Sequence, residues 1–182
     1  MIEIMSFEEG RPDTYPAKPS GLSSAADAYP AAFIWHMLER RIAWRWASRS
    51  AEVILEGGPG PFELPLRPAE ITLTEAWNGE SWEAVTLATA PRGGVYLSSR
   101  APYRITFTAG DTETPPDIML EAYRRLAEYL GEVENEPVPA GAYSHSIDLG
   151  GVKESTRFDP WRRARALDMS GAGDLLRIYR KA

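Results

Sequence analysis

The spacing of apolar residues changes along the chain from a helical period to a strand-like period and back. Between about Ala25 and Ser50, apolar residues recur every three or four positions, which predicts a first helix with one buried face. Ser23 or Ser24 is suited to cap its start, because a hydroxyl oxygen can accept a hydrogen bond from the first turn. The apolar positions of this helix are Phe33, Ile34, Met37, Leu38, Ile42 and Trp46.

Residues 51–110 alternate between apolar and polar in short runs separated by Gly and Pro, which predicts about five or six short antiparallel strands. Within residues 71–77 the alternation places Ile71 and Leu73, with either Ala76 or Trp77, on the apolar side. The dipeptide Asn78-Gly79 that follows is a strong hairpin signal. The predicted strands cover residues 51–56, 62–66, 71–77, 82–87, 95–97 and 103–108.

A helical period returns after the strands. Pro115 and Pro116 suit the first turn of a helix, where a missing backbone N–H is harmless, and Gly131 is a typical helix stop. A long polar loop follows, and Asp159 then caps a short helix that ends near Met169, before a last short segment.

These elements predict an α+β fold with a helical core, made of two main helices plus a C-terminal helical tail, and an inserted small antiparallel β-sheet domain. Along the chain we expect an extended N-terminal arm over residues 1–24, a helix–sheet–helix body over 25–132 with its β insertion at about 51–110, a long loop over 133–158 and a C-terminal docking tail over 159–182.

Composition excludes several kinds of chemistry. The 182 residues include no cysteine and two histidines, so a disulfide scaffold, an iron–sulfur centre and a cysteine nucleophile are ruled out. No apolar run reaches the roughly 20 residues that a membrane span needs. The acidic N-terminus does not resemble a signal peptide.

The net charge of −6 is unevenly distributed. From Arg157 to Ala182, seven basic and three acidic side chains give +4, which leaves −10 for residues 1–156. Large apolar residues, among them Trp161 and Ile178, lie between the arginines of this basic tail. A terminal segment of this composition is expected to dock, either on its own domain or on a partner. We expect the truncated chain, without residues 158–182, to fold.

The arginines of the first predicted helix allow three interpretations. Together with Trp35, Trp44 and Trp46 they could bind nucleic acid, form salt bridges between subunits, or line a solvated face. The last two interpretations are favoured, because a net acidic chain is a poor general binder of DNA.

No residue is assigned a catalytic, cofactor-binding or metal-binding role. Residues 144–148 place Ser144, His145 and Asp148 close together, but a catalytic triad needs preorganised geometry, and polar loop residues are the simpler interpretation. His36 has an arginine, not a ligand, four positions later. Residues 57–60 are rich in glycine but lack the lysine and the helix of a phosphate-binding loop.

The order of the motifs resembles the head–tail connector (adaptor) family of tailed phages and phage-derived gene transfer agents. The sequence Leu-Pro-Leu-Arg-Pro at residues 64–68 is followed by Phe-Thr-Ala-Gly at 107–110. Pro-Pro-Asp-Ile comes next at 115–118, with Ala122 and Tyr129 further along, and the chain closes on Leu-Leu-Arg-Ile-Tyr-Arg at 175–180. The resemblance covers residues 31–132 and the last few residues. Position 178 is isoleucine where the family typically has proline, and residues 128–132 are acidic where the family typically has an aromatic and arginine stretch.

The resemblance implies a structural protein and not an enzyme. It implies a homo-oligomeric ring, commonly a dodecamer, in the neck of a phage or gene transfer agent particle assembled in the bacterial cytoplasm. The ring would join the portal protein to the next neck, stopper or tail protein. DNA would pass through its lumen without sequence-specific binding. No cofactor and no membrane contact are expected.

Under this interpretation two groups of residues are candidates for contact with other subunits. The first group, on the predicted helix, lies between ring subunits: Trp35, Arg41, Trp44 and Arg45. The second group, in the tail, docks on the portal or on a neighbouring subunit: Trp161, Arg162, Arg163, Leu175, Leu176, Arg177, Tyr179 and Arg180. The alternative function is a small monomeric enzyme or ligand-binding module of α+β fold.

Overall fold

The structure is a computed structural model of the chain. It describes residues 2–110, 114–134 and 161–180, together with the backbone of residue 135 and of segments 144–148 and 153–157. The chain divides into two compact units. The sheet unit contains Met1–Pro16 and Ala43–Thr114, and the helical unit contains Ala17–Ile42 and Pro115–Arg180.

The sheet unit consists of two antiparallel sheets. The larger has five strands in the order β1-β2-β8-β4-β5, and the smaller has three in the order β3-β7-β6. The strands are β1 (Ile2–Glu9), β2 (Arg49–Gly57), β3 (Gly60–Phe62), β4 (Ala69–Trp77), β5 (Trp82–Ala84), β6 (Ala88–Thr89), β7 (Val95–Leu97) and β8 (Ala101–Ala109).

The two sheets share one apolar core. Alternate residues of the central strands β2 and β8 turn inward, where Val53, Leu55 and Ile105 are fully buried. Side chains of the smaller sheet and of the chain beside it, such as Leu97 and Leu66, cover them. Because every second residue is used for this core, the intervening residues form a second side of the larger sheet, which we call the outer face.

An extra residue in β4 decides which of its side chains reach the outer face. The register with β8 shifts between Ile71 and Leu73, which is a β-bulge at Thr72. Ile71 therefore faces the core, whereas Leu73 pairs with Thr106 on the outer face. The simple alternation predicted from the sequence, with Ile71 and Leu73 on one side, is wrong for this strand.

The predicted hairpin is confirmed. Trp77 and Trp82 pair across its end, and the side chain of Asn78 accepts hydrogen bonds from the backbone N–H groups of Glu80 (2.8 Å) and Ser81 (2.9 Å). Gly79 has a φ of 107°, a left-handed conformation that glycine adopts without steric cost.

The helical unit is built around one long helix. This helix, α3, has 19 residues and carries both the N-terminal helices and the C-terminal segment. The helical unit contains α1 (Ser24–Asp27), α2 (Ala31–Glu39), α3 (Asp117–Asn135), α4 (Ala166–Met169), α5 (Ala172–Leu175) and a 3₁₀ helix (Leu176–Tyr179). It also contains a hairpin of β9 (Ser144–Asp148) and β10 (Lys153–Arg157).

Gly131 is required for close packing between helices and does not end the helix in which it lies. Helix α3 continues past this residue to Asn135. A Cβ atom at position 131 would lie 3.0 Å from the Cβ of Ala25 and from the backbone nitrogen of Ala26. Glycine therefore lets α1 approach the backbone of α3, while Ser23 caps α1 by accepting a hydrogen bond from Ala26 N–H (3.2 Å).

The prediction of an α+β fold with a helical core of two main helices is wrong. Most of the described secondary structure is sheet, in two antiparallel sheets with eight strands, and the helices other than α3 are short. The largest error concerns the first helix, which was predicted over residues 25–50. It is present only as α1 and α2, and α2 ends at Glu39.

Tertiary hydrogen bonds account for the early end of this helix. Beyond Ile42 the backbone pairs with the segment before β4: Arg45 N–H donates to the carbonyl of Arg67 (2.7 Å), and Arg67 N–H donates to that of Ala43 (2.8 Å). These bonds replace the intrahelical ones, and the chain then enters β2 at Arg49. The apolar residues that recur every three or four positions in this segment therefore lie partly on α2 and partly in the segment that leads into β2, and not on one face of a single helix.

Two other predicted segments contain strands. Strand β1 takes residues 2–9 of the segment predicted as an extended arm into the larger sheet, where it pairs with β2. Strands β9 and β10 lie within the segment predicted as a long loop over 133–158. In both segments the alternation of apolar residues is a weak signal for a strand, and the surrounding proline, glycine and polar residues favour an extended arm or a loop.

A buried hydroxyl group in the helical unit supports a stability prediction. Tyr123 is fully buried against Trp35, with ring centroids 5.3 Å apart, and the described residues offer its hydroxyl no hydrogen-bond partner. Burial raises the pKa of Tyr123 to about 12. Since an unsatisfied buried hydroxyl destabilises the folded state, Tyr123→Phe is expected to raise the free energy of unfolding by about 1 kcal/mol.

The control for this substitution is Tyr29→Phe in the same unit. The Tyr29 hydroxyl donates to a carboxylate oxygen of Glu134 (2.5 Å) and lies 3.2 Å from the carbonyl of Leu130. Its removal is expected to lower the free energy of unfolding by about 1 kcal/mol. Chemical denaturation followed by helical circular dichroism measures both, and equal effects of the two substitutions would contradict the prediction.

Candidate interaction surfaces

The C-terminal segment, residues 161–180, combines a buried side with an exposed one. Ala166, Ala172 and Leu176 are fully buried in the helical unit, where α4 and α5 pack on α3 and the 3₁₀ helix packs on α5. On the opposite side Trp161 is 65% exposed and Ile178 is 70% exposed. Removing residues 158–182 would uncover buried side chains of this unit, which counts against the expectation that the truncated chain folds. That expectation stays a prediction.

The eight tail residues predicted to dock therefore have different environments. Leu176 is buried in the chain itself and is not available to a partner. The others reach the surface: Trp161, Arg163, Arg177 and Arg180 are exposed, and Arg162, Leu175 and Tyr179 are partly buried.

Ion pairs hold two of the exposed arginines of this segment in place. Arg163 lies 3.2 Å from Glu134 at the end of α3, and Arg177 lies 2.9 Å from Asp174. These side chains remain largely exposed, and exposed ion pairs of this kind contribute little to stability. Their charges are thus still accessible to a partner of opposite sign.

The four residues predicted to lie between subunits are not brought together on one helix. Trp35 is on α2 but is fully buried, and Arg41 forms an exposed ion pair with Asp168 just beyond the end of α2. Trp44 and Arg45 lie in the sheet unit, before β2. Arg41 is the one member of this group with an exposed side chain.

The buried arginines Arg45 and Arg49 form an ionic cluster with Glu9 of β1, whose side chain is 25% exposed. Their side chains are only 7% and 3% exposed, and Glu9 accepts hydrogen bonds from Arg45 Nε (2.7 Å), Arg45 Nη2 (3.0 Å) and Arg49 Nη1 (2.9 Å). Burial raises the pKa of Glu9, but hydrogen bonds and charge from both guanidinium groups outweigh it and hold this pKa below its ordinary value. These two arginines stabilise the sheet unit and are not exposed to nucleic acid.

The outer face of the larger sheet is a surface that the sequence did not reveal. Leu73 is 42% exposed there, and Trp77 is 37% exposed, although both are large and apolar. Its members are Glu3 and Glu8 of β1; Glu52, Ile54 and Glu56 of β2; Glu70, Leu73, Glu75 and Trp77 of β4; Trp82 of β5; and Arg104 and Thr106 of β8. Tryptophans on both sides of an Asn-Gly turn were the available signal, but the bulge at Thr72 could not be read from the sequence.

A cluster of charged and aromatic side chains lies on strands β8, β4 and β5 of the outer face. Arg104 Nε donates to a carboxylate oxygen of Glu75 (2.6 Å), and the guanidinium carbon lies 4.9 Å from the ring centroid of Trp82. The ring of Trp77 meets that of Trp82 edge-on, with centroids 5.4 Å apart. The hydrogen bond from Arg104 holds the pKa of Glu75 below its ordinary value.

Like charges oppose each other along the rim of the outer face. Glu3 pairs directly with Glu56, and Glu8 pairs directly with Glu52, across β1 and β2. Carboxylates in such positions repel each other and destabilise a strand pair. This part of the sheet therefore favours a positively charged partner over solvent alone.

The described residues show little that resembles an active site. No three His, Asp or Glu side chains among them converge as they would around a metal ion. A cavity of about 250 Å³ in the sheet unit is lined by Trp44, Leu66 and the guanidinium-bearing Arg67 and Arg92, with no nucleophile or histidine. The backbone of residues 144–148 forms β9, and the side chains of Ser144, His145 and Asp148 lie outside the described residues.

None of the helices described here is long and apolar enough to cross a membrane. In the comparisons with known proteins, no protein-family model matches the chain, and no curated protein shows significant similarity to it.

Proposed function

We propose that this protein is a structural head–tail adaptor that forms an oligomeric ring in the neck of a phage or gene transfer agent particle. In this role it joins the portal protein to the next neck or tail protein, and DNA passes through the ring. The motifs at residues 64–68, 107–118 and 175–180 are the basis for naming this class of protein.

One observation carries the proposal that the protein works by contact. The C-terminal segment presents Trp161 and Ile178 to solvent, surrounded by arginines, on a scaffold fixed by buried residues. Tryptophan and arginine are enriched at the energetic centres of protein interfaces. A large apolar side chain held rigidly in solvent gains more free energy on binding than a mobile one, because less conformational entropy is lost.

A ring also requires two different binding surfaces on each subunit. A closed ring is formed by heterologous contacts, in which one surface of a subunit binds a dissimilar surface of the next. The C-terminal segment and the outer face differ in the sign of their charge, which supports two dissimilar binding surfaces. The alternative of an enzyme or ligand-binding module has less support, since the cavity in the sheet unit lacks reactive side chains.

The proposal is tested on particles from a source that encodes this chain. We expect quantitative mass spectrometry to find several copies of the protein per particle, and electron microscopy with labelled antibody to place it at the neck. A strain that lacks the gene should produce heads, with or without packaged DNA, that have no attached tails. Normal tailed particles that lack this protein would overturn the proposal.

A substitution at the exposed end of the C-terminal segment separates docking from folding. Ile178→Asp is expected to keep the chain folded, because the side chain is 70% exposed, but to reduce incorporation into particles at least tenfold. The matched control is Phe33→Asp, at a position 46% exposed on α2 of the same unit, which should be incorporated normally. Equal incorporation of the two variants would contradict a docking role for this segment.

A further inference from the structure

The outer face of the larger sheet is suited to binding a positively charged, partly apolar surface. Among its described members are six carboxylates and a single guanidinium, and Arg104 is already paired with Glu75. Leu73 and Trp77 add exposed apolar area beside this charge. A surface that combines exposed apolar side chains with charged ones has the composition of a protein interface.

Like charges lie opposite each other on the β1 side of this face. Glu3 opposes Glu56 and Glu8 opposes Glu52 at neighbouring positions of β1 and β2. A partner that places cations between these carboxylates would replace repulsion by attraction. The required partner therefore carries several basic side chains with at least one large apolar side chain among them.

The C-terminal segment of the chain itself has this composition. Residues 161–180 carry five arginines against two aspartates. Trp161, Met169 and Ile178 are exposed among them, and the side chains of Arg163 and Arg177 are exposed as well. Guanidinium groups suit this role because they bind carboxylates with two parallel hydrogen bonds and stack on aromatic rings.

We propose that the outer face of one copy binds the C-terminal segment of a second copy. The inference rests on the proposed function and names the contact between neighbouring subunits. Leu73 and Trp77 would receive an apolar side chain of the segment, and the Glu8–Glu52 and Glu3–Glu56 pairs would receive its arginines. Because the two surfaces differ, each copy can bind one neighbour on each side, which gives a ring or a chain of subunits.

Site-specific photocrosslinking in the full chain tests this contact. The photoreactive residue benzoylphenylalanine replaces Leu73 on the outer face, and an equimolar mixture of isotopically labelled and unlabelled protein is irradiated at high protein concentration. We expect a covalent dimer whose crosslinked peptide pair joins the β4 peptide of one copy to a peptide within residues 161–180 of the other. Mixed isotope labels in that pair identify it as intermolecular.

The matched control places benzoylphenylalanine at Tyr96, which is 46% exposed on β7 of the smaller sheet. It should give no dimer linked to residues 161–180. Raising the salt concentration should reduce the Leu73 crosslink, since the contact is largely ionic.

The other outcomes overturn the inference in distinguishable ways. No dimer, equal dimers from both positions, or a crosslink from position 73 to another part of the second copy would each show that the outer face does not bind this segment. In purified particles, a crosslink from position 73 to a different protein would also overturn it but would leave the adaptor function standing. Absence of the protein from particles would instead remove the proposed function itself.

Discussion

Replacing Glu9 by alanine is expected to lower the free energy of unfolding of the sheet unit by about 3–5 kcal/mol, because the substitution removes the carboxylate that two buried arginines share. Glu9 accepts three hydrogen bonds from Arg45 and Arg49. Without it, two guanidinium groups that are almost fully buried lose their common carboxylate. Urea denaturation followed by the circular dichroism of the sheet measures the change.

Glu8→Ala provides the control for this substitution. Glu8 is the preceding residue of the same strand, but it pairs with Glu52 on the outer face and not with the two arginines. Its removal relieves repulsion and is expected to leave stability unchanged or to raise it slightly. If both substitutions destabilise equally, the effect comes from strand β1 in general and not from the ionic cluster.

The same cluster makes stability depend on pH in a defined direction. The two guanidinium groups hold the pKa of Glu9 below its ordinary value of 4.5, so the unfolded chain binds this proton more readily than the folded one. The stabilising contribution of Glu9 is therefore complete above the unfolded-state pKa and is lost as the pH falls through the lower folded-state value. The stability difference between wild type and Glu9→Ala should shrink below about pH 4.5.

Leu176→Ala is expected to lower the free energy of unfolding of the helical unit by about 2–5 kcal/mol. Leu176 is fully buried at the start of the 3₁₀ helix, and alanine would leave a cavity among the helices that pack on α3. Because α4, α5 and the 3₁₀ helix depend on a few buried side chains, the loss should spread through the whole C-terminal segment. Loss of helical circular dichroism during denaturation measures it.

Ile178→Ala is the matched control, two residues later in the same 3₁₀ helix. Its side chain is 70% exposed, so the substitution should change stability by less than about 0.5 kcal/mol. A harmless Leu176→Ala would mean that the segment is a detachable tail, as the sequence suggested. A large difference between the two variants would mean that the docking surface is part of the folded unit.

Local signals in the sequence were sufficient for β2, β8, the Asn-Gly hairpin and the second main helix. The alternation in β2 and β8, the Asn78-Gly79 turn and the apolar stripe of α3 each specify their element through neighbouring residues. Long-range pairing decided the rest. The segment after Glu39 has a helical pattern, but its backbone bonds to Arg67, and no local signal announces that partner.

The candidate surfaces, like the fold, could be predicted only in part from the sequence. Charge and composition predict a docking role for Trp161, Arg177 and Arg180, and all three are exposed in the structure. The docking role itself stays a prediction. Arg45 is buried instead, and its partner Glu9 lies 36 positions earlier in the chain. The outer face was not predicted, because a bulge in β4, seen only in its pairing with β8, decides which side chains of β4 lie on that face.

The bulges also bear on how tolerant this sheet is to changes in length. Thr72 in β4 and Met5 in β1 each stand outside the regular register, so the residues on either side of them keep their faces as though the extra residue were absent. Loss of the codon for either residue would leave a regular strand with the same side chains directed inward and outward. At these two positions the gene can lose one codon without exchanging the core side of the strand for the outer face.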